Sequence, residues 1–316
     1  MGGCTRGLLI KRMKCQRNSS ISIVAIVVTY FPDLVVLKKQ LDILRHQVAE
    51  VMIIDNGSAY ESSVWNTIKS IEHVDVCFFF NNKGIASAQN YGINKAKETG
   101  VEFILLMDQD SLPAVDMFER LLLTFYEKEN VAAVCPWFVD DRHNNTSPFA
   151  SVRRLRLQRH DDCSGRREVS IDYLVSSGSL MPMSVFTDVG LMREEFFIDY
   201  VDTEWGLRAK TAGLDLYGVF SAQMQHHLGV QPLFFLGKKI PVHAPIRLYY
   251  QFRNAMLLYQ EDWVPLNWKF VDGCRLSLKF IFFSICSQHR LKYFKMMVKG
   301  IYHGLKGRAG EYIEKC

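Results

Sequence analysis

The sequence contains a series of short, uninterrupted apolar segments that end in acidic or amide residues. The clearest is Phe103–Met107, which is followed directly by Asp108-Gln109-Asp110. Ser22–Tyr30 is another such segment, and Val51–Ile54 leads straight into Asp55. An apolar segment without polar alternation is typical of a strand covered on both faces, as in a parallel sheet. The series therefore restricts the chain to folds built on a buried, mainly parallel sheet.

Helical segments separate these strands. After the first strand, apolar residues recur every three or four positions, at Leu34, Leu37, Leu41 and Leu44. This is the spacing of an amphipathic helix. A further strand, Val76–Phe80, ends in the polar segment Asn81-Asn82-Lys83-Gly84. The alternation of strands and helices predicts a doubly wound α/β domain.

Asp108 and Asp110 follow a predicted strand at its carboxyl end. Open α/β sheets bind their ligands at this edge. Hard divalent cations prefer carboxylate oxygens together with phosphate oxygens from a substrate. The pair therefore predicts a Mg²⁺ or Mn²⁺ site that holds a diphosphate. A solvated turn is the alternative, because Asp is common in turns.

Five motifs then occur in order along the first third of the chain. They are Val27-Val28-Thr29-Tyr30, Asp55-Asn56-Gly57-Ser58, Asn82-Lys83-Gly84, Asn90-Tyr91-Gly92 and Asp108-Gln109-Asp110. In order and spacing they resemble family 2 glycosyltransferases of the GT-A fold, over roughly residues 21 to 262. Phe197–Trp205, Met224–Gly229 and His243–Asn254 narrow the resemblance to the rhamnosyltransferase branch. The implied fold is an α/β GT-A domain with a doubly wound mixed sheet, followed here by a helical, basic C-terminal extension.

The resemblance implies a nucleotide-sugar site at the strand ends. Asp55 matches the acid that contacts the nucleotide base, and Thr29 lies on the loop that lines the base pocket. Asp108 and Asp110 match the motif that holds the ribose and the metal bridging the diphosphate. Divalent metal and sugar nucleotide are thus expected to bind together.

Asn82, Gly84 and Asn90 belong to the matching motifs and are assigned to the same donor site. An alternative remains open for all three. They could form a helix-start turn and a helix whose small residues pack on the sheet.

His226 and Arg253 are two further donor-site candidates from the downstream half. His226 matches a diphosphate or metal contact, although a lone His is more often structural. Arg253 could clamp the pyrophosphate or an acidic acceptor. Together with Arg247 it could instead belong to a helix face whose charged ends extend to solvent.

Asp202 aligns with the carboxylate that acts as general base on the acceptor hydroxyl in such enzymes. Glu204 stands where the second acid of the motif falls, so the choice of base between the two remains open. Many relatives have a Glu immediately before the base, where this chain has Val201. Both acids could also be the acidic first turn of a helix, which the helix dipole favours.

The implied reaction is an inverting, metal-dependent glycosyl transfer. A bound divalent cation neutralises charge on the leaving diphosphate, and a carboxylate accepts the proton of the incoming hydroxyl. The branch implies dTDP-L-rhamnose as donor. The implied acceptor is a lipid-linked intermediate of a cell-surface polysaccharide, such as the O-antigen of lipopolysaccharide. A UDP- or GDP-sugar donor is the first alternative, and a haloacid-dehalogenase-like phosphatase or a non-catalytic nucleotide-sugar-binding protein are the others.

The chain of 316 residues is predicted to have three parts. Residues 1–20 form a basic leader that is expected to be disordered. Residues 21–262 form the catalytic domain, with a nucleotide-binding half at about 21–112 and an acceptor half at about 113–262. Residues 263–316 form a basic, amphipathic helical tail.

The acceptor half contains the least regular sequence. Residues 140–170 are polar and rich in Arg, and their length predicts a functional or partly mobile loop. The apolar segment 171–175 after it predicts a strand.

The tail carries a strong positive charge. From Lys269 onward it has ten Lys or Arg and three acids, so that 10 − 3 = +7. It also contains the apolar segment Phe280–Cys286, which is far shorter than the ~20 residues of a membrane-spanning helix. A basic helix with an apolar face can lie in the headgroup region of an anionic membrane. We therefore expect peripheral attachment to the inner face of the bacterial plasma membrane. A tail packed on the catalytic domain is the alternative, and nucleic acid is disfavoured because the strand-end acids oppose it.

Eight cysteines are scattered along the chain without a Cys-x-x-Cys pair. This pattern is typical of reduced thiols in a cytoplasmic enzyme and not of a disulfide framework or a zinc site. The apolar stretch Gly7–Ile10 is too short for the core of a signal peptide. A cytoplasmic location is therefore expected.

Overall fold

The computed structural model of the chain describes residues 21–140, 145–161, 165–226, 233–235, 238–240, 244–287 and 289–314. The predicted leader at 1–20 lies outside the described residues. The strands are β1 (Ile23–Thr29), β2 (Glu50–Asp55), β3 (Val74–Phe78), β4 (Phe103–Asp108), β5 (Ser111–Pro113), β6 (Val131–Asp140), β7 (Asn145–Ser147), β8 (Phe149–Arg153), β9 (Arg156–His160), β10 (Glu168–Ser170), β11 (Ser179–Pro182), β12 (Asp215–His226), β13 (Leu233–Phe235) and β14 (Lys238–Ile240). The helices are α1 (Leu34–Leu44), α2 (Ser62–Lys69), α3 (Ile85–Glu98), α4 (Met117–Glu127), α5 (Val185–Asp188), α6 (Val201–Thr211), α7 (Pro245–Tyr259), α8 (Leu266–Cys286) and α9 (Arg290–Leu305), with a 3₁₀ turn at Glu194–Phe196.

The main sheet has a parallel half and a mixed half. Its strand order is β10-β12-β6-β11-β4-β1-β2-β3, with β5 paired to β12 and β7 to β6. Strands β4, β1, β2 and β3 run parallel, whereas β11 is antiparallel to both β4 and β6. The register places Val28 opposite Asp108 and Thr29 opposite Asp55. The predicted doubly wound mixed sheet is confirmed, and its polar strand ends lie side by side.

Strand β1 is buried on both faces. Ala25 and Val27 belong to the core that includes α1 and α4, whereas Val24 and Ile26 belong to the core that includes α3 and α6. All four side chains are at most 1% exposed. Burying an apolar side chain of this kind contributes roughly 1.5–3 kcal/mol. Double coverage explains why the strand sequence lacks polar alternation.

Two expectations for the middle of the chain are wrong. The stretch 140–170 is not one long loop, because β8 and β9 form a hairpin and β10 pairs with β12. The segment 171–175 is not a strand. Its side chains Ile171 and Leu174 are buried in the core while the backbone around them is irregular. Apolar residues alone do not separate a strand from a buried irregular segment.

The three C-terminal helices pack on one another. Helices α7, α8 and α9 pack around Leu248, Phe252, Ala255, Leu276, Phe283, Tyr293 and Met297. Helix α9 approaches α7 closely, since a Cβ on Gly300 would lie 2.5 Å from the Tyr249 carbonyl oxygen. Among the described residues, no helix has the length and apolar character needed to cross a membrane.

Candidate active site

A cleft of about 530 Å³ opens where the parallel strands end. One wall is formed by the ends of β1 to β3 and the start of α3, and the other by residues 197–202 and α7. Its polar and charged lining residues include Thr29, Asn56, Asn82, Asp108, Asp110, Asp199, Asp202 and Arg247. The cleft therefore brings together most of the predicted donor and base residues. Asp55, Asn90, Glu204 and Arg253 are exceptions, and the side chain of His226 is not described.

Asp55 lies beneath the wall of the cleft that the ends of β1 to β3 form. It is 1% exposed, and Thr29 donates a hydrogen bond to its Oδ1 (2.9 Å). Ser58 donates to it through both the backbone N–H (2.9 Å) and the hydroxyl (2.6 Å). A carboxylate bonded in this way fixes the loop after β2 against the end of β1. Thr29 itself lines the cleft, and Asp55 holds Thr29 in place from below. The two residues therefore lie where the pocket for the nucleotide base is predicted.

Asn56 and Asn82 hold the ends of β2 and β3 together. Asn56 Nδ2 donates to Asn82 Oδ1 (3.0 Å), and Asn56 Oδ1 accepts from the Lys83 backbone N–H (2.9 Å). Asn82 Oδ1 also accepts from the Gly84 N–H (2.9 Å). Both amide side chains line the cleft, so Asn82 has the predicted location.

Gly84 is the point where the two walls of the cleft touch. Its φ is +86°, and a Cβ at this position would lie 2.5 Å from the Phe197 carbonyl oxygen. The next residue, Ile85, donates its backbone N–H to the same oxygen (2.8 Å). Glycine alone satisfies both the backbone conformation and the close approach. Gly84 thus lines the predicted site and also allows the opposite wall to pack closely against it.

The turn that carries Asp108 and Asp110 is fixed from below. Gln40 Nε2 lies 2.6 Å from the carbonyl oxygens of both Asp108 and Ser111. Gln109, between the two acids, accepts from the Tyr30 N–H (2.6 Å). Gln40 is a fully buried amide on the apolar face of α1. The position of the polar Gln40 among the apolar residues of α1 is the sequence signal for its support of this turn, and it was not among the predicted site residues.

The acids of this turn have the chemistry of a metal site. Burial, together with the neighbouring Asp110 and Asp202 carboxylates, raises the pKa of Asp108 to about 7. Clustered carboxylates favour a bound cation, which relieves their repulsion. No three His, Cys, Asp or Glu of the described residues are grouped to hold a metal by themselves. Two carboxylates fit a cation whose other ligands are substrate phosphates and water, as Mg²⁺ sites commonly have.

Asp202 lies on the opposite wall, in the first turn of α6. Its Oδ1 accepts the backbone N–H of Thr203 (2.8 Å), and its Oδ2 is 3.4 Å from the Ser176 N–H. Burial raises the pKa of Asp202 to about 6, against the effect of these hydrogen bonds. A carboxylate with this pKa is ionised at neutral pH and still able to accept a proton.

Glu204 points away from the cleft. It is 2% exposed, and both its oxygens accept from Arg208 at 2.8 Å in a bidentate ion pair. Arg208 in turn donates to the Leu191 carbonyl oxygen (2.8 Å). The geometry therefore assigns Glu204 to packing of α6 against the 189–191 segment, and it favours Asp202 as the base.

The turn at 197–200 has an unusual backbone. Phe197, Asp199 and Tyr200 have φ values of 61°, 64° and 63°. The Ile198 N–H donates to the Phe196 carbonyl oxygen (2.6 Å) across Phe197, which makes a γ-turn. Non-glycine residues in such conformations cost about 1–3 kcal/mol each and cluster at functional sites. Asp199 and Asp202 owe their positions in the cleft to this turn.

Arg253 and Asn254 of α7 hold the turn in place. Asn254 Nδ2 lies 2.9, 2.9 and 2.8 Å from the carbonyl oxygens of Phe196, Ile198 and Asp199. Arg253 is fully buried and donates to the Phe196 carbonyl oxygen (2.9 Å) and to that of Gly310. The structure therefore does not place Arg253 in the cleft. Its other contacts are with the Asn254 side chain and the rings of Tyr249 and Tyr250, so its role is positional.

Asn90 is likewise a positional residue. Its side chain is 4% exposed and makes reciprocal hydrogen bonds of 2.9 Å with the Met192 backbone. It also donates to Glu194 (2.9 Å), which accepts from Ser87 as well (2.8 Å). The predicted donor contact by Asn90 is not supported, because these partners lie away from the cleft. Asn90 ties α3 to the segment that precedes the 197–200 turn.

Arg247 is the cation that the cleft does contain. Its Nε and Nη2 donate to the two oxygens of Asp199 at 2.6 and 2.8 Å. It lies six residues before the predicted Arg253 on α7, nearly two turns earlier, and it lines the cleft. His226 ends β12 with its backbone opposite Ser111, one residue beyond Asp110. Its side chain lies outside the part of the chain that can be described, so its metal contact stays a prediction.

Comparison with known proteins agrees with this geometry. The pattern of glycosyl transferase family 2 matches residues 25–190. The chain is 31% identical over 298 residues to the dTDP-rhamnosyl transferase RfbF of Shigella flexneri, covering 92% of this chain and 97% of that protein. It is 21% identical over 277 residues to the low-salt glycan biosynthesis hexosyltransferase Agl10 of Haloferax volcanii, covering 84% and 85%.

Two solved structures share the fold. GalNAc-T7, crystallised with UDP, GalNAc and Mn²⁺, matches 92% of this chain with a TM-score of 0.62 at 13% identity. The match spans 56% of the GalNAc-T7 chain. S. aureus TarS matches 91% of this chain and 82% of its own, with a TM-score of 0.56 at 13% identity. At such identities the likeness speaks for the fold alone, and it confirms the predicted GT-A fold.

Proposed function

This chain is a member of glycosyl transferase family 2, and from that premise we propose that it transfers L-rhamnose from dTDP-L-rhamnose to a lipid-linked glycan with inversion. The choice of donor rests on the 31% identity to the Shigella rhamnosyl transferase over nearly the whole chain. The observation that carries the mechanism is the arrangement of the cleft, which has Asp108 and Asp110 at the strand ends and Asp202 on the facing wall.

The donor binds along the wall formed by the ends of β1 to β3 and the start of α3, which we call the nucleotide wall. Thr29, Asn56 and Asn82 offer hydroxyl and amide groups to the nucleoside. Asp108 and Asp110 would hold a Mg²⁺ or Mn²⁺ ion, which when bound neutralises negative charge on the departing diphosphate. Arg247 adds a positive charge of the chain's own within the same cleft.

Asp202 accepts the proton of the acceptor hydroxyl. The hydroxyl oxygen forms a bond to the anomeric carbon from the side opposite the diphosphate. The bond between that carbon and the diphosphate oxygen breaks, and dTDP leaves with the electron pair. Such base assistance contributes about a hundred- to ten-thousand-fold in rate. A single displacement inverts the configuration and uses no covalent nucleophile.

The acceptor is lipid-linked, and the enzyme works at an anionic membrane surface. Helix α9 exposes Leu291, Phe294 and Val298 along one side, with exposed fractions of 72%, 43% and 41%. Lys292 and Lys295 lie between these apolar residues in the sequence, and Arg290 immediately precedes them. An apolar stripe among cations fits the headgroup region of an anionic bilayer.

Nucleotide release by the purified protein tests the donor. We expect dTDP release from dTDP-rhamnose with Mg²⁺ or Mn²⁺ and a membrane-lipid extract as acceptor source, and loss of release with a chelator. Release from a UDP- or GDP-sugar only would contradict the rhamnosyl assignment. Release that persists without a divalent cation would contradict the proposed metal site.

Sedimentation with vesicles tests the membrane surface. We expect the protein to sediment with phosphatidylglycerol vesicles and not with phosphatidylcholine vesicles. Changing both Phe294 and Val298 to Ser should abolish sedimentation. Leu155→Ser is the matched control, because Leu155 is 59% exposed on the turn between β8 and β9. Equal effects of the two changes would contradict the assignment of the surface to α9.

A further inference from the structure

A second pocket of about 370 Å³ lies beside the donor cleft. The two share Asp199, Tyr200 and Asp202. The second pocket is lined on its far side by α8, through Asp272, Arg275, Leu276, Leu278 and Lys279. Because Asp202 lines both spaces, a hydroxyl bound in the second pocket lies beside the base while the donor occupies the cleft. The second pocket therefore has the location that an acceptor needs.

Two cations of α8 line this pocket. Arg275 and Lys279 are four residues apart, so they project from the same face of the helix. The Lys279 ammonium donates to a neutral group, the side-chain amide oxygen of Gln251 (2.8 Å). Burial and the neighbouring Arg275 lower the pKa of Lys279, as expected for crowded positive charges. A bound anion would relieve this crowding.

Three acids line this pocket, namely Asp199, Asp202 and Asp272. Asp199 is paired with Arg247, Asp202 is the proposed base, and Asp272 is held by neighbouring side chains. Asp272 is 2% exposed, and its Oδ2 accepts from the hydroxyls of Tyr200 (2.6 Å) and Tyr259 (2.7 Å). Its Oδ1 is 3.3 Å from Arg275. Asp272 thus anchors α8 to the turn before α6. Lys279 remains the cation best placed for a ligand.

The pocket opens toward an apolar surface. Leu278 is 69% exposed at its edge, and Ile281 and Ile285, on the following turns of α8, are 54% and 65% exposed. Two cations on α8, next to an apolar face of the same helix, fit an anion attached to an apolar chain. A free sugar has neither feature.

We propose that the second pocket binds the diphosphate of a lipid-linked acceptor, with Lys279 and Arg275 as the anion-binding residues. This inference rests on the proposed function, since it assigns the acceptor side of the same reaction. It places the carrier diphosphate on α8 and directs the apolar chain along Leu278, Ile281 and Ile285. The C-terminal helices are then part of the acceptor site as well as a packing layer.

Binding of farnesyl diphosphate tests the proposal without knowledge of the acceptor sugar. The wild-type protein is titrated calorimetrically in the presence of saturating dTDP, which fills the donor cleft. We expect farnesyl diphosphate to bind, and farnesol and inorganic pyrophosphate to bind at least tenfold more weakly. Lys279→Gln should weaken farnesyl diphosphate binding at least tenfold, and Lys279→Arg should largely restore it. Lys306→Gln is the matched control, because Lys306 is exposed at the end of α9, outside the pocket.

Three results would overturn the inference. Lys279→Gln could leave binding unchanged or weaken it no more than Lys306→Gln. Bound dTDP could block farnesyl diphosphate, which would place the probe in the donor cleft. Pyrophosphate could bind as tightly as farnesyl diphosphate, which would show that the apolar chain contributes nothing to binding. Failure of dTDP itself to bind would count against the proposed donor only, because the comparison of Lys279 with Lys306 does not need the nucleotide.

Discussion

The two walls of the cleft are built in different ways. The nucleotide wall follows from regular structure. Thr29 ends the buried strand β1, Asn82 follows the parallel edge strand β3, and both are fixed by neighbours at the same sheet edge. The facing wall is the irregular turn at 197–200, in which three residues have positive φ. It is held by α3 and α7, which are distant in sequence. In the proposed mechanism, donor binding therefore rests on the ends of the sheet strands, and proton transfer rests on a turn with an unfavourable backbone that its neighbours must hold.

The contact between the walls should be the most sensitive point. Gly84→Ala would bring a Cβ to within 2.5 Å of the Phe197 carbonyl oxygen at a φ of +86°. We expect the free energy of unfolding to fall by about 2–4 kcal/mol, with loss of transfer. Gly100→Ala is the matched control, because Gly100 has a φ of +74° and no atom within 4 Å of the added Cβ. It should cost only about 1 kcal/mol in urea denaturation. Equal losses would show that the walls do not meet at Gly84.

The two acids of α6 should have opposite effects on stability at pH 8. Glu204→Gln removes the partner of Arg208 and should lower the free energy of unfolding by about 2 kcal/mol. Asp202→Asn should raise it by about 1–3 kcal/mol. The sign follows because the folded pKa of Asp202, about 6, lies above its ordinary value of 3.8. Ionised Asp202 therefore destabilises the fold increasingly as the pH rises through this range.

Denaturation of both variants at pH 8 and pH 4 measures these effects. The gain from Asp202→Asn should shrink toward zero at pH 4, where Asp202 is protonated in the fold. A loss of stability from Asp202→Asn at pH 8 would contradict the assigned environment of this acid.

Asn254→Ala should impair the function of the facing wall and leave that of the nucleotide wall unchanged. It removes the side chain that holds three carbonyl groups of the turn, so we expect a loss of about 1–2 kcal/mol in stability. The turnover number should fall about tenfold, and dTDP affinity should stay within twofold. Asn66→Ala, which removes an exposed amide on α2, is the control and should change neither turnover nor dTDP affinity. A parallel loss of dTDP affinity in Asn254→Ala would show that the walls are not independent.

The pH dependence of turnover should report the base. Because the pKa of Asp202 is raised to about 6, the turnover number should be constant above pH 7. It should then fall about tenfold between pH 7 and pH 5 as the carboxylate is protonated. Glu204→Gln should keep this profile. A profile that remains flat down to pH 5 would exclude Asp202 as the group whose protonation stops the reaction.

The contrast between the two walls also explains which parts of the fold and of the site can be predicted from the sequence. The strands β1, β2 and β4, their polar ends and helix α1 follow from local patterns, because each is set by burial and periodicity within a few residues. Asn90, Glu204 and Arg253 lie in matching motifs, yet their partners are Met192, Arg208 and Phe196. Motif position indicates that a residue matters. It does not separate a group that contacts substrate from one that holds the backbone behind it.

Arg247 shows the opposite case. A helix with two arginines six residues apart offers no local sign of which one faces a cleft. The decisive information is the turn at 197–200, where Asp199 engages Arg247 and the carbonyl groups engage Arg253. That turn has no periodicity to predict, and its backbone is set by contacts across the fold.

The most direct test of this division of labour is Asp202→Asn, measured both by single-turnover transfer from dTDP-rhamnose and by calorimetric titration with dTDP. If the facing wall performs proton transfer and the strand ends bind the nucleotide, transfer falls about a hundred- to ten-thousand-fold while dTDP affinity changes less than threefold. Equal losses of transfer and of dTDP affinity would contradict the account and remove Asp202 from the role of base.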